Sequence, residues 1–359
     1  MAGTSPRYTA LDGIRFYSAL LVFLVHAIGA ISQEIFRIPE SEFTAQSANA
    51  AQAFWALVAN FGNHGVDIFF ILSGFLMMKV SFDDNRWIGS IRFLWKRFLR
   101  IYPAFAASLV IGTLIRVYVL DWDFKAPDFL LNFFFLNAIP ELGVTPYNFV
   151  TWSLGYEFAF YLLVPFIFLA RERRARILLV CGLIALGAVI IPDTYLRFMG
   201  LLVGALFGCI DDEDSRRLSS RFPAPLLIAI YVLINVIYIL SIINIYVYLL
   251  VFLPVTCLLV AKITFHPNIM NTFFSMTVFG FLGKISYSFY LWHTLCISLV
   301  YRYVIYQYNL KYEPGVFGSI YYFSLSLALS ILVSWVSYQL FERWYFARQT
   351  PGATPKPSH

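Results

Sequence analysis

The chain reads as an all-α, polytopic integral membrane protein, and three observations carry that expectation. Hydrophobic residues make up 60% of the sequence and charged residues only 13%, with a mean hydropathy of +0.72, whereas soluble domains carry about 25% charged residues. Apolar stretches approaching the roughly 20 residues that a bilayer crossing needs recur along the chain. These stretches are continuous, unlike the alternating ten-residue segments of a lipid-facing β-barrel. The net charge of +6 is not a nucleic-acid footprint, because the basic residues gather in particular loops. No nucleic-acid partner is expected.

About ten spans are expected, at roughly 14–32, 60–80, 101–120, 150–170, 176–192, 195–210, 224–241, 243–261, 284–306 and 316–341. Residues 127–139 and 270–282 are too short to cross and read as interfacial or re-entrant. Ala27-Ile28-Gly29 loosely resembles a signal-peptide cleavage site, but the first apolar run is longer than a usual signal core and is expected to stay as a span. One membrane domain is expected over 1–348, followed by a disordered tail at 349–359. The four cysteines lie within apolar runs without metal-ligand spacing and read as small core residues. No metal is expected.

Orientation follows from the basic residues. Alternate loops carry Arg92, Lys96, Arg97 and Arg100, then Arg171, Arg173, Arg174 and Arg176, then Arg216, Arg217 and Arg221, with Arg7 and Arg343 on the same side. The opposite side receives Arg37, Arg116, Lys125, Arg197, Arg302 and Lys311. The richer side is read as cytoplasmic, with both termini inside. The outer loops lean acidic, with Glu40 and Glu42 in the first and Asp121, Asp123, Asp128 and Glu141 in the second.

The ionisable residues within the spans are the candidates for chemistry, because charges inside a membrane are costly. Arg15 opens the first span and His26 lies eleven residues on, close to three turns, so both project from one face about 16 Å apart. Measured from Ile14, His26 lies about 18 Å into the span, past the centre of a core roughly 30 Å thick. The bland alternative is an arginine that snorkels to the headgroups and a satisfied core histidine. The second span contains HGVDIFFILSGF, with His64 and Asp67 at its outer end and Ser73-Gly74 near its middle. Asp67 is a candidate partner for a histidine or an interfacial carboxylate.

Next comes RWIGSIRFLWKRFLRIYPAF. Arg92, Lys96, Arg97 and Arg100 alternate with aromatics, and Pro103 reads as the first helical position of the third span. The cluster is either positive-inside anchoring or a site for a phosphorylated donor, since guanidinium forks match phosphate oxygens. The fourth span opens TWSLGYEFAFYLLVP. There Glu157 and Tyr161 share a face, beside Trp152, and a carboxylate this deep demands a partner. In the ninth span, GKISYSFYLWHTL, the residues Ser286, Tyr290 and His293 share a face, with His293 about 14 Å beyond Lys284. Simple hydrogen bonding between helices is the competing reading for these.

In order along the chain, these motifs resemble the acyltransferase-3 family of bacterial membrane acyltransferases. Arg15 and His26 resemble the family's basic residue, ten-residue gap and histidine. Val66–Met77 resembles its second-span signature, Arg97 and Arg100 its paired arginines, Trp152–Pro165 its fourth-span signature, Gly283–His293 its late motif, and Phe341-Glu342 its ending. The region 171–270 carries no family motif.

The resemblance implies an O-acyltransferase of the bacterial inner membrane. It moves an acyl group, most often acetyl from cytoplasmic acetyl-CoA, to a hydroxyl of an extracytoplasmic carbohydrate such as O-antigen or exopolysaccharide. Nothing soluble follows the tenth span, so the membrane domain or a separate protein is expected to complete transfer. His26, Arg15, Glu157 and Asp67 are the implied catalytic group. Arg97, Arg100 and Lys96 would hold the donor, whose arm passes Arg15 toward His26. Trp152, Tyr161, Tyr287, Tyr290, His293 and Ser73 would line the acceptor side. His26 is expected to act as general base or as a covalent carrier, with Glu157 or Asp67 setting its tautomer. Physics alone leaves a competing class, a transporter of an acylated molecule or a proton cotransporter.

Overall fold

The computed structural model describes residues 9–35, 58, 61–79, 86–306 and 316–349. Arg7, Arg37, Glu40, Glu42, Lys311 and the tail from residue 350 onward lie outside them. Among the described residues every regular element is helical.

The helices are α1 (Thr9–Ile35), α2 (Gly65–Met78), α3 (Arg86–Tyr118), α4 (Ala126–Asn132), α5 (Trp152–Ile167), α6 (Arg173–Ile190) and α7 (Met199–Gly208). They continue as α8 (Asp212–Ser220), α9 (Ala224–Ile239), α10 (Ile245–Phe265), α11 (Ile269–Phe274), α12 (Thr277–Val300), α13 (Val316–Ser337) and α14 (Arg343–Gln349). Each of the ten expected stretches overlaps a helix.

Five helices among the described residues are long and apolar enough to cross a membrane, or six if α8 and α9, bent by 83°, form one broken span. The helix α2 and the stretch Tyr195–Gly208 are apolar but shorter. The outer surface suits lipid: Val189, Leu250 and Leu178 are 84%, 75% and 72% exposed, a pattern that water would penalise.

Four expectations are corrected. The third span's helix starts at Arg86, so the basic stretch is continuous with it. Pro103 therefore lies inside that helix rather than at its start, which membrane helices tolerate. The helix expected as the ninth span starts at Thr277, so residues 277–282 belong to it and α11 precedes it as a separate short helix. Cys181 is exposed, unlike the three buried cysteines.

Glycine-lined approaches set the frame. The helices α1 and α12 run parallel: Gly283 packs so tightly that a Cβ there would lie 2.3 Å from the Asp12 carbonyl oxygen, while Phe16 and Phe23 both meet Phe289 farther along. The helices α2 and α7 are also parallel. The sequence MGLLVGALFG places Gly200, Gly204 and Gly208 four apart, on one stripe. A Cβ on Gly204 would lie 2.2 Å from the Ile71 carbonyl oxygen. In contrast, α2 packs antiparallel against α1, with Gly65 at Ser18 and Gly62 at Leu21 and Val25. The fourth-span helix α5 runs back along α12, with Ser153 at Tyr290.

Candidate active site

The helix α1 carries both ends of the site. At its start the guanidinium of Arg15 is paired with Asp12 one turn earlier, Nη1 to Oδ1 at 2.9 Å. Asp12 sits in the same LDGIR run and escaped the sequence reading, although its (i, i+3) spacing to Arg15 is a usual ion-pair signal. Arg97 and Arg100, about three and four turns into α3, lie within electrostatic reach of Arg15. Arg97 rests over the Phe93 ring at 5.5 Å and Arg100 over Phe346 at 5.7 Å. Three guanidinium groups thus converge at one end of the bundle. Lys96 is exposed, and among the described residues no hydrogen bond or ion pair joins it to them.

Just beyond the arginines lies a carboxylate site. Glu157 accepts a hydrogen bond from Ser73 Oγ at 2.5 Å and another from the Tyr161 hydroxyl. Arg97 acts electrostatically on both Glu157 and Tyr161. Tyr161 is buried and meets the Phe93 ring edge to face. The Tyr287 hydroxyl donates to the Ile101 carbonyl at 2.9 Å. A second buried carboxylate, Glu342, accepts from Ser288 Oγ at 2.5 Å and lies within reach of Arg100. Sequence reading singled out Glu342 only as part of a closing motif, since its partner is fifty-four residues away.

At the other end of α1, two imidazoles meet. The His26 ring is 5.3 Å from the His293 ring, centroid to centroid. His293 is fully buried; its Nδ1 is 3.1 Å from the Phe289 carbonyl. That contact is a hydrogen bond when Nδ1 carries the proton, which leaves Nε2 as an acceptor. Among the described residues Nε2 has no partner. Phe289 stacks on His293, and Phe149 meets His26 edge-on at 6.0 Å. Tyr290, one residue along α12 from Phe289, shares a hydrogen bond of 2.7 Å with Ser153 and lies 5.9 Å from His293. The structure therefore brings His26, His293 and Tyr290 together at one end, and Arg15, Arg97, Arg100, Glu157, Tyr161, Ser73 and Tyr287 together at the other.

The expected pairing of Asp67 or Glu157 with His26 is not what the structure contains. Asp67 faces away, 3.6 Å from both His64 Nδ1 and Arg197 Nη1, because it lies on the α2 face turned to α10, where the His64 ring lies tilted against Tyr248 at 4.6 Å. Glu157 is taken up by Ser73 and Tyr161. Trp152 also lies apart from the imidazoles, packed on Tyr156 and Phe70.

On the surface at the start of α5, Glu141 accepts from the Tyr195 hydroxyl, which holds its carboxyl below the usual carboxylate range. Asp128 is likewise lowered, through Thr145.

The chain is 31% identical over 204 residues to the acyltransferase MdmB of Streptomyces mycarofaciens, covering 54% of this chain and 48% of MdmB. It is 28% identical over 262 residues to the exopolysaccharide production protein ExoZ of Rhizobium meliloti, covering 67% of this chain and 78% of ExoZ. The chain spans about half the length of the first curated relatives it matches. No solved structure matches it. A family model described as an acyltransferase domain matches residues 8–339, nearly the whole of the sequence, and the chain therefore belongs to that acyltransferase family.

Proposed function

We propose that the chain is a multi-pass O-acyltransferase of the bacterial inner membrane. It takes an acetyl group from acetyl-CoA at the arginine end and delivers it to a carbohydrate hydroxyl at the histidine end. The observation that carries this reading is the shared axis. One pair of parallel helices, α1 and α12, holds Arg15 beside Arg97 and Arg100 at one end and the His26–His293 pair at the other.

The three guanidinium groups suit the phosphates of the donor, because charge-assisted forks bind phosphate oxygens in pairs. The carboxylates of Asp12, Glu157 and Glu342 lie within electrostatic reach of these groups, and each guanidinium carries more donors than one carboxylate takes. The extended arm of the donor then follows α1 for about 16 Å and presents its thioester to His26. A neutral imidazole nitrogen of His26 accepts the proton of the acceptor hydroxyl, and the oxygen attacks the thioester carbonyl. The carbon–sulfur bond breaks as the ester forms. The proton on His26 then passes to the departing thiolate, so that free CoA and acetylated acceptor result. His293, held by Phe289 and Tyr290, acts as a positioning residue that fixes the His26 ring. Glu157 orders the donor end through Ser73 and Tyr161 rather than the imidazole.

The acceptor is proposed to be an extracytoplasmic carbohydrate, lipid-linked or polymeric, because the relative ExoZ is named for exopolysaccharide production. The direct test is turnover of labelled acetyl-CoA by the purified protein in detergent, with no membrane gradient. Transfer or hydrolysis that depends on His26 supports the enzyme. Full activity in His26→Ala would overturn the assignment, and absence of turnover in the wild type would favour a transporter.

A further inference from the structure

A buried charge at the histidine end has no role in the reaction as described above. Arg116 lies near the end of α3, sixteen residues beyond Arg100, which is about 24 Å along the helix. It is only 3% exposed. Its Nη2 donates to Thr294 Oγ1 at 3.2 Å, and Thr294 directly follows His293 in α12. The guanidinium carbon lies 5.5 Å from the Trp122 ring, and Arg116 also acts electrostatically on His293.

Gly112, one turn earlier, makes room for this side chain: a Cβ there would stand 3.0 Å from Arg116 Nη1. The guanidinium thus folds back along its own helix, as long side chains on helices do, toward the level of the imidazoles. Every partner of Arg116 is neutral, and no carboxylate forms an ion pair with it among the described residues. An isolated buried guanidinium is costly, and a hydroxyl and a ring face return only part of that cost. Its remaining nitrogens are not among the sealed, orphaned polar atoms of the interior. Among the described residues Thr294 takes one of its donors, and a guanidinium has five.

We infer that Arg116 is the anion-binding subsite of the acyl acceptor, taking a carboxylate or phosphate group that the acceptor carries beside the hydroxyl presented to His26. This rests on the acyl-transfer reading given above and narrows it, because the acceptor becomes an acidic glycan or a phosphate-linked one. The donor's own phosphates are accounted for at the far end of α3, so the anion belongs to the other substrate.

The test uses the purified full chain without acetyl-CoA, in a non-ionic detergent. Thermal unfolding is followed with sodium glucuronate, inorganic phosphate, or glucose at matched ionic strength. The wild type is expected to be stabilised by glucuronate or by phosphate and not by glucose. Arg116→Gln is expected to weaken that response at least tenfold, and Arg116→Lys, which keeps the charge and loses the fork, to fall between. A response to glucuronate alone assigns the anion to an acidic sugar, and a response to phosphate alone assigns it to a phosphate linkage.

No response of the wild type to either anion, or an equal response in Arg116→Gln, overturns the proposal. Should Arg116→Gln not fold, phenylglyoxal labelling of the wild type followed by mass spectrometry answers the same question. Protection of Arg116 by the anion and not by glucose supports the subsite, and equal labelling refutes it. Because these readouts need no donor, their failure alongside normal acetyl-CoA turnover sinks this inference alone. Absent turnover with intact anion binding sinks the acyl-transfer reading instead.

Discussion

The two ends of α1 solve the same problem in opposite ways. At its start, charge is kept and offset: Arg15 is held by Asp12 at 2.9 Å, and Glu157 lies within reach of Arg97. Eleven residues later the groups that α1 and α12 bring together are imidazole rings that can stand neutral, and the buried guanidinium nearby, Arg116, comes from α3. His26 and His293 are caged by Phe149, Phe289 and Tyr290, with no carboxylate hydrogen-bonded to either among the described residues. Charged groups bind a charged ligand by Coulomb attraction and direct hydrogen bonds. A neutral imidazole in a dry, packed setting is suited to accept a proton from a hydroxyl. The proposed function uses this contrast, with recognition of the donor at one end and chemistry at the other.

Several experiments break or sharpen that division. The largest effect is expected at the histidine end. His26→Ala should lower kcat for acetyl transfer by about 10²–10⁴-fold, the range of a lost general base, with KM for acetyl-CoA little changed. A comparable rise in KM would blur the two ends. His293→Ala should give a smaller kcat loss, and His293→Gln should recover part of it by restoring a donor toward the Phe289 carbonyl.

At the arginine end the expected signature is reversed. The double variant Arg97→Ala, Arg100→Ala should weaken acetyl-CoA binding by at least roughly 10–100-fold, the loss from one charge-assisted contact at about 1.5–3 kcal/mol. Equilibrium binding measured by calorimetry checks it, and unchanged affinity would leave only membrane anchoring for these residues.

The frame that holds Ser73 against Glu157 is a separate matter. Gly204→Ala adds a Cβ 2.2 Å from the Ile71 carbonyl oxygen, and overpacking of this kind costs about 1–3 kcal/mol. A lower unfolding temperature is expected, with a normal KM in the protein that folds. An unchanged unfolding temperature would show that α2 and α7 can part freely.

The smallest effect lies on the surface. The Tyr195 hydroxyl lowers the pKa of Glu141, so this contact adds stability above the carboxyl's unfolded value of about 4.3 and loses it as pH falls through the lower folded value. Tyr195→Phe should move the Glu141 titration midpoint upward, read by NMR of labelled glutamate, while leaving acetyl transfer intact. A midpoint that stays put would remove the hydrogen bond from the account.

The helical fold was legible because bilayer-length apolar runs leave little choice of backbone: inside lipid the peptide groups must satisfy one another locally. The placement of Arg15 and His26 on one helix face was legible for the same reason, since spacing on a single helix is a local property. The positions of Pro103 and Thr277 were misjudged because membrane helices continue past the proline and into the interfacial stretch where turn signals would end a soluble one.

What only the tertiary structure decided is which polar groups meet. His26 finds His293 instead of a carboxylate, Glu157 finds Ser73 across eighty-four residues, and Asp67 turns to His64 and Arg197. Those choices depend on how glycine-lined helices rotate and cross. Such rotations are set by packing contacts between distant segments, whereas the spacing of residues along one strand of sequence reports only which face of a helix each one occupies.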